Sequence, residues 1–411
     1  MNPPAPLPPA PLGAEARLPV LDILRGVALL GIFIMNMPSF GDSLFAQHPP
    51  DAVTLARDLF IGGKFNAMFA LLFGIGFALQ LDRLEAARPG HGGRIYLRRL
   101  LVLMGLGLLH AALFWSGDVL FVYALLGLGL LLLRRAPDGV LLGLVLAGLL
   151  FPAAAVYLRT ALLSVDIENL ALLDYQTLEA SNRLAYGSGS FADTARENGR
   201  MLAWAYGSPL GRWSMLMFYV QMGTPLWLGY WIGRRGWVAR QAPPVDAMRR
   251  LRALCLALGL AATLVYLGAG VESQEPTLSS ALLNLLQTLG RIGLMLGYAL
   301  TIALLAQDAR WRARLAPFAA AGRMPLTNYL LQTALATSIF YGWGLGWWGR
   351  ADTAVQIGLA LALFCAVQVP LSVAWLSRFE RGPLEALWRL VTYGRSAVRR
   401  APGSTPPPPR R

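Results

Sequence analysis

The stretch "GLLHAALFWSGDVLFVYALLG", residues 107–127, sets a titratable ring, His110, and a carboxylate, Asp118, inside an otherwise apolar run. Ser116 and Gly117 read as a turn between two helices. A helix–turn–helix brings its two arms back together, so Asp118 is placed to orient the imidazole and His110 to act as a general base. Plainer roles exist for both. A carboxylate at a helix start caps free amides and suits the helix dipole, and a buried neutral histidine bonds to a neighbour.

Other polar residues sit at positions that lipid penalises, since a charge at mid-bilayer costs about 2.5–3.5 kcal/mol on insertion scales. Asp22 and Arg25 are spaced to share a helix face and pair, with Asn36 near the far end of the same segment. Lys64 lies about one turn below the outer surface, with Asn66 close by. Gln287 and Arg291 share a face of another segment, with Arg291 near mid-depth, where it requires the bundle interior, a carboxylate or a bound anion. Arg323 falls at the inner interface, with Asn328 and Tyr329 a turn deeper. Lys64 and Arg291 are the candidates to hold an anionic group or stabilise developing negative charge. Asn36, Asn66 and Gln287 join them as substrate-side candidates. The expectation is that these groups, His110 included, gather round one hydrated cavity. Gln221, Gln332 and Gln368 read as hydrogen-bonding glue between helices.

The elements that must position these residues are membrane spans. Apolar residues make up 56% of the 411 and charged ones 14%, with a mean hydropathy of +0.50. Soluble domains run at about 25% charged. The fold class expected is all-α, a polytopic bundle whose helices satisfy their own backbone hydrogen bonds in lipid. About twenty apolar residues cross the hydrocarbon. That length gives ten spans, at roughly 19–39, 60–81, 96–115, 118–134, 139–158, 213–233, 252–270, 279–306, 324–343 and 354–377. Gly74 and Gly76 fall mid-span with no strand before them, so they suit close helix packing rather than a nucleotide.

Lys64 is the only lysine, and the +14 net charge is carried by arginine. With both termini in the cytoplasm, "DRLEAARPGHGGRIYLRR", "RRAPDG", "RRGWVARQAPPVDAMRRLR" and "QDARWRARLAPFAAAGR" all face inward, as the positive-inside rule requires. Topology therefore accounts for the basic charge, and nucleic acid is excluded as a partner. Cys255 and Cys365 lie in apolar runs and make neither a disulfide framework nor a metal site. No cleavable leader is evident in the Pro/Ala-rich segment 1–18, and the first span reads as uncleaved. Five spans (19–158) precede an extracytoplasmic loop, 159–212, with five arginines and six acids. Long loops of that kind act as lids or binding loops, and "IENLALLDYQTLEASNRLA" has helical spacing. Five more spans (213–377) lead to a basic cytoplasmic tail, 378–411, ending in a disordered "APGSTPPPPRR".

Taken in order, "RLPVLDILRGVALLGIFIMN", "GKFNAMFALLFGIGFALQ", "RRLLVLMGLGLLHAALFWSGDVLFVYALLG", "GRMPLTNYLLQT" and "FERGPLEALWRLVTYG" resemble the YeiB-like proteins, bacterial inner-membrane proteins of a domain family with no assigned function. The first stretch is also similar, more loosely, to the start of heparan-α-glucosaminide N-acetyltransferase and its relatives in the transmembrane acyltransferase superfamily. The match lies at Leu21-Asp22, Arg25-Gly26 and Asn36, with His110 as the counterpart of a histidine in an early span. This chain has Lys64-Phe65 where those enzymes carry an acidic-aromatic opening. The resemblance implies transfer of an acyl group from a cytoplasmic coenzyme A thioester to a lipid, glycan or small-molecule acceptor at the outer face.

Two other readings stay open. In a transporter or exporter, Arg291, Lys64 and His110 would line a substrate or proton path, although no internal repeat supports that reading. In an assembly or sensor protein, the same residues would be buried glue.

Overall fold

The computed structural model describes residues 19–43, 51–87, 89–163, 165–238, 243–270 and 276–393, with the backbone alone over 165–173. Among the described residues every regular element is helical. The protein is a polytopic helical bundle. The tails 1–18 and 394–411 lie outside the described residues.

The first half comprises α1 (Pro19–Gly41), α2 (Ala52–Phe60), α3 (Lys64–Ala87), α4 (Gly92–Leu113), α5 (Leu120–Leu132), α6 (Asp138–Leu162), α7 (Val165–Gly187) and α8 (Phe191–Gly207). The second comprises α9 (Pro209–Arg235), α10 (Val245–Gly268), α11 (Leu278–Leu305), α12 (Ala309–Gly322), α13 (Pro325–Phe340), α14 (Thr353–Ala362), α15 (Val369–Leu376) and α16 (Pro383–Tyr393). A π-helical stretch, Leu363–Gln368, joins α14 to α15.

Seven segments are long and apolar enough to cross a bilayer: α1, α2 with α3, α4, α6, α10, α11, and α14 with α15. The other three expected spans correspond to α5, α9 and α13. α5 has 13 residues and α13 has 16, short of the twenty or so a lone crossing needs. Both can be short because they pack inside the bundle: Tyr123 and Ala124 of α5, and Ala336 and Phe340 of α13, are almost completely buried.

α1 is the hub, packed on α3, α11, α12, α13 and α14. Its most apolar window is 61% buried, against 11% for α10, which sits on the outside against α11. α3 and α9 cross closely. A Cβ on Gly74 would lie 2.1 Å from the Leu226 carbonyl oxygen, and one on Gly229 would lie 2.0 Å from that of Leu71. No side chain fits there, as expected where small residues let backbones approach in membrane bundles.

Two expected boundaries shift. The 159–212 segment is not a loop: α6 runs on to Leu162, α7 and α8 follow, and α9 already begins at Pro209. The 378–411 segment is not all tail, because α16 folds back on α4 and α13.

Candidate functional site

His110 is in the last turn of α4 and Asp118 stands just before α5. The turn between them joins His110 Nδ1 to Asp118 Oδ1 at 2.9 Å, with both side chains at most 5% exposed. Asp118 Oδ2 accepts the backbone N–H of Phe121 at 2.8 Å. One carboxylate thus caps α5 and holds the imidazole, so the geometry that both readings require is present. The Tyr329 hydroxyl of α13 donates to Asp118 Oδ1 at 3.4 Å and accepts the Val119 N–H at 3.2 Å. With Nδ1 held by the carboxylate, Nε2 is the free basic position, and it has no hydrogen-bond partner among the described residues.

Gly107 makes this packing possible. A Cβ there would sit 2.4 Å from the Phe121 nitrogen and 2.8 Å from Asp118 Oδ2. Sequence reasoning did not single it out, although its place one turn before His110 was the available signal.

A cavity of about 370 Å³ reaches Tyr329, Val119, Leu120 and Tyr123 from the arginine-rich side. Six arginines border it, Arg25, Arg83, Arg99, Arg323, Arg381 and Arg389, against three acids, Asp22, Glu380 and Glu385. Its walls include Leu29, Phe69, Leu100 and Leu103. All five quoted sequence stretches contribute to the lining, from Asp22 and Arg25 through Gln80, Arg99 and Tyr329 to Trp388. Arg25 pairs with Asp22 at 2.7 Å. Arg323 donates to the Glu380 backbone oxygen at 3.2 Å.

α16 forms one wall and is held by specific contacts. Glu385 Oε1 accepts the N–H groups of Leu326 and Thr327 at 2.7 and 3.0 Å, and Oε2 accepts the Thr327 hydroxyl at 2.6 Å. Those amides are free donors at the start of α13, where Pro325 opens the helix. Burial pushes the Glu385 carboxyl above its usual range, and these hydrogen bonds oppose the rise. Trp388 donates to the Arg99 backbone oxygen at 3.0 Å, and the Arg99 guanidinium lies 3.8 Å over the Trp388 ring. Glu385, Trp388, Arg99 and Arg389 were missed in the sequence because they lie in or beside stretches read as inner loop and tail.

On the opposite face His110 is roofed. Its ring centroid is 6.2 Å from that of Phe114, and Phe114 meets Phe191 of α8 edge-on at 5.7 Å. Tyr186 of α7 bonds Asn198 of α8 at 2.9 Å and also meets Ser116 in the turn.

The remaining candidates do not share this cavity, so the expectation of a single gathering point is corrected. Lys64 is buried and donates a hydrogen bond to the Asp58 backbone oxygen rather than snorkelling outward. Arg291 is buried beside Gly63. Neither lines the cavity. α2 and the turn after it carry Lys64 down to the level of Arg291. Asn36 is half-buried and lines neither cavity described here. Asn66 accepts the Tyr123 hydroxyl through its backbone oxygen at 3.3 Å. Asn328 ties α13 to α12 and α15 through Ala321 and Ser372, at 3.1 and 3.0 Å. Gln368, turned inward by the π-helical stretch, bonds the Asn328 carbonyl and Gln332. Gln287 borders a second cavity of about 590 Å³ with Gln221, Asn284 and Arg159.

Comparison with known proteins places this chain in a family. Residues 232–395, from the end of α9 through α16, match the family described as "Protein of unknown function (DUF418)". Over nearly all of its length the chain is similar to "Uncharacterized protein YxaH" of Bacillus subtilis, 32% identical over 93% of this chain and 96% of that one. It is also similar to "Uncharacterized protein YeiB" of Escherichia coli, 32% identical over 90% and 95%. The chain belongs to this YeiB-like family. The matched region supplies Arg323, Tyr329, Glu385 and Trp388 to the cavity, whereas His110 and Asp118 come from the half covered by the full-length relatives alone.

Proposed function

We propose that this YeiB-like protein is a bacterial inner-membrane acyltransferase, taking its acyl group from a coenzyme A thioester on the cytoplasmic side and passing it to a hydroxyl or amine at the outer face. The observation that carries the reading is the hydrogen-bonded relay from Tyr329, on the wall of the arginine-bordered cavity, through Asp118 to an imidazole whose Nε2 has no partner among the described residues.

In this reading the arginines meet the donor's phosphates, which suit guanidinium forks, and the apolar walls take the acyl chain. The acceptor's oxygen or nitrogen attacks the thioester carbonyl while His110 Nε2 removes its proton. The C–S bond then breaks, and the leaving thiolate takes that proton from the imidazolium. Asp118 holds the Nδ1–H throughout, as the carboxylate of a triad does. Lys64 and Arg291 have no part in it, contrary to the role first given them.

Transport is the competing reading. The two cavities, bordered by different sets of helices, argue against one site alternately exposed. The test is direct. Purified protein is expected to bind acyl-coenzyme A in competition with coenzyme A, and to release thiol when an acceptor is present. His110→Ala is expected to keep binding and lose about 10²–10⁴ of the release rate. Flux into proteoliposomes without thioester consumption would establish transport instead, and a protein blind to the thioester would end the acyltransferase reading.

A further inference from the structure

Two cations stand apart from the site just described. Lys64 is 3% exposed and Arg291 is 9% exposed. Arg291 lies well inside α11, the fourteenth of 28 residues. Its Nε has no hydrogen-bond partner among the described residues. Lys64 is the first residue of α3, so its charge sits at the positive end of a helix dipole, the end that disfavours a cation and welcomes an anion.

The two positive charges repel one another across the contact between α3 and α11. Among the described residues the carboxylate that acts on Lys64 is that of Asp58, and Arg57 already holds it at 2.9 Å. Lys64 is left with that residue's backbone oxygen. The group is therefore net positive inside a membrane span, where uncompensated charge is expensive. The backbone is shaped to allow this. Gly63 has φ +69°, and a Cβ there would lie 2.9 Å from Arg291 Cδ, so only glycine both turns the chain and leaves room for the arginine stem.

We propose that Lys64, Arg291 and the N-terminus of α3 form an anion-binding site within the membrane that takes the phosphate or carboxylate of a small ligand or lipid head. An oxyanion supplies the missing counter-charge, accepts from the unpartnered Arg291 Nε–H and suits the dipole that Lys64 alone opposes. The site is separate from the His110 relay and needs no transfer reaction, so its fate is independent of the acyltransferase reading.

The test uses full-length protein in a neutral detergent, stripped of lipid. Its melting temperature is followed against phosphatidylglycerol, phosphatidylcholine or inorganic phosphate. Phosphatidylglycerol or phosphate is expected to stabilise the protein where phosphatidylcholine does not. Lys64→Gln and Arg291→Gln are each expected to raise the half-saturating concentration about tenfold or more, the size expected for one charge-assisted hydrogen bond. Stabilisation by phosphatidylglycerol alone assigns the anion to lipid, and an equal response to phosphate assigns it to a soluble ligand. The proposal falls if phosphatidylcholine does as well as phosphatidylglycerol, if no anion shifts the wild type, or if the variants titrate like it. Should Arg291→Gln fail to fold, Lys64→Gln and the wild-type response to the three probes decide the matter.

Discussion

Asp118 is a residue with two functions and little spare geometry. One oxygen fixes the His110 ring and the other caps α5, and Gly107 is the surface both pack against. Gly107→Ala is therefore expected to push the carboxylate off the ring. Overpacking of this kind typically costs about 1–3 kcal/mol. A lowered melting temperature together with loss of thiol release is the expected outcome. Gly105→Ala is the matched control, since a Cβ there meets nothing within 4 Å and alanine is the better helix former. If the two variants behave alike, the close approach of α4 to the start of α5 is not what holds the pair. The His110–Asp118 pairing was legible because the turn between them is short and its arms must return. Tyr329's part was not: it lies 211 residues from Asp118, and nothing local announces a contact at that separation.

At the scale of elements, α16 decides whether the basic-face cavity keeps one of its walls. Its Leu387, Leu390 and Val391 are exposed, so the helix is fastened mainly through Glu385 and Trp388. Glu385→Ala removes three acceptor contacts and leaves the free amides of α13 unmet, at about 1–3 kcal/mol for each group truly buried. Glu385→Gln keeps an oxygen for the amides, loses the charge and puts an amide donor where Oε2 accepted the Thr327 hydroxyl.

The pH dependence separates these two variants. Burial raises this carboxyl above its ordinary value of 4.5, so the folded protein holds the proton more tightly than the unfolded chain. The stabilisation is full below that ordinary value and is lost as pH rises through the higher folded one. Wild-type melting temperature, measured relative to Glu385→Gln, is expected to fall as pH rises from about 4 upward through this window. A relative rise would show that the hydrogen bonds from α13, not burial, govern the group. From sequence this stretch reads as tail, although an apolar periodicity after Gly382-Pro383 was the available signal for a helix. Its docking was not legible, because an arginine-rich tail and an arginine-rich docking helix have the same composition.

For the whole molecule, hydropathy gave the bundle and arginine placement an expectation of its sidedness, while the structure shows why span counting by length falls short. Seven segments qualify on length and apolarity, and α5 and α13 fail because protein, not lipid, surrounds them. α9 fails through composition: it carries Arg212, Gln221, Arg234 and Arg235. Parity makes the difference testable. Ten crossings return the chain to the side it left, and seven put its ends on opposite faces. The cavity adds a second constraint, since Asp22 and Arg25 near the start of α1 and Arg381 and Arg389 near the last described residues border the same opening. Both ends of the bundle therefore meet at one face. Fluorescent-protein fusions at the N-terminus and after Tyr393 are both expected to glow, with alkaline phosphatase silent at either place and active when inserted at Ser188, between α7 and α8. A phosphatase active at one terminus and silent at the other would break the ten-span topology, and with it the assignment of the arginine-bordered cavity to the cytoplasm.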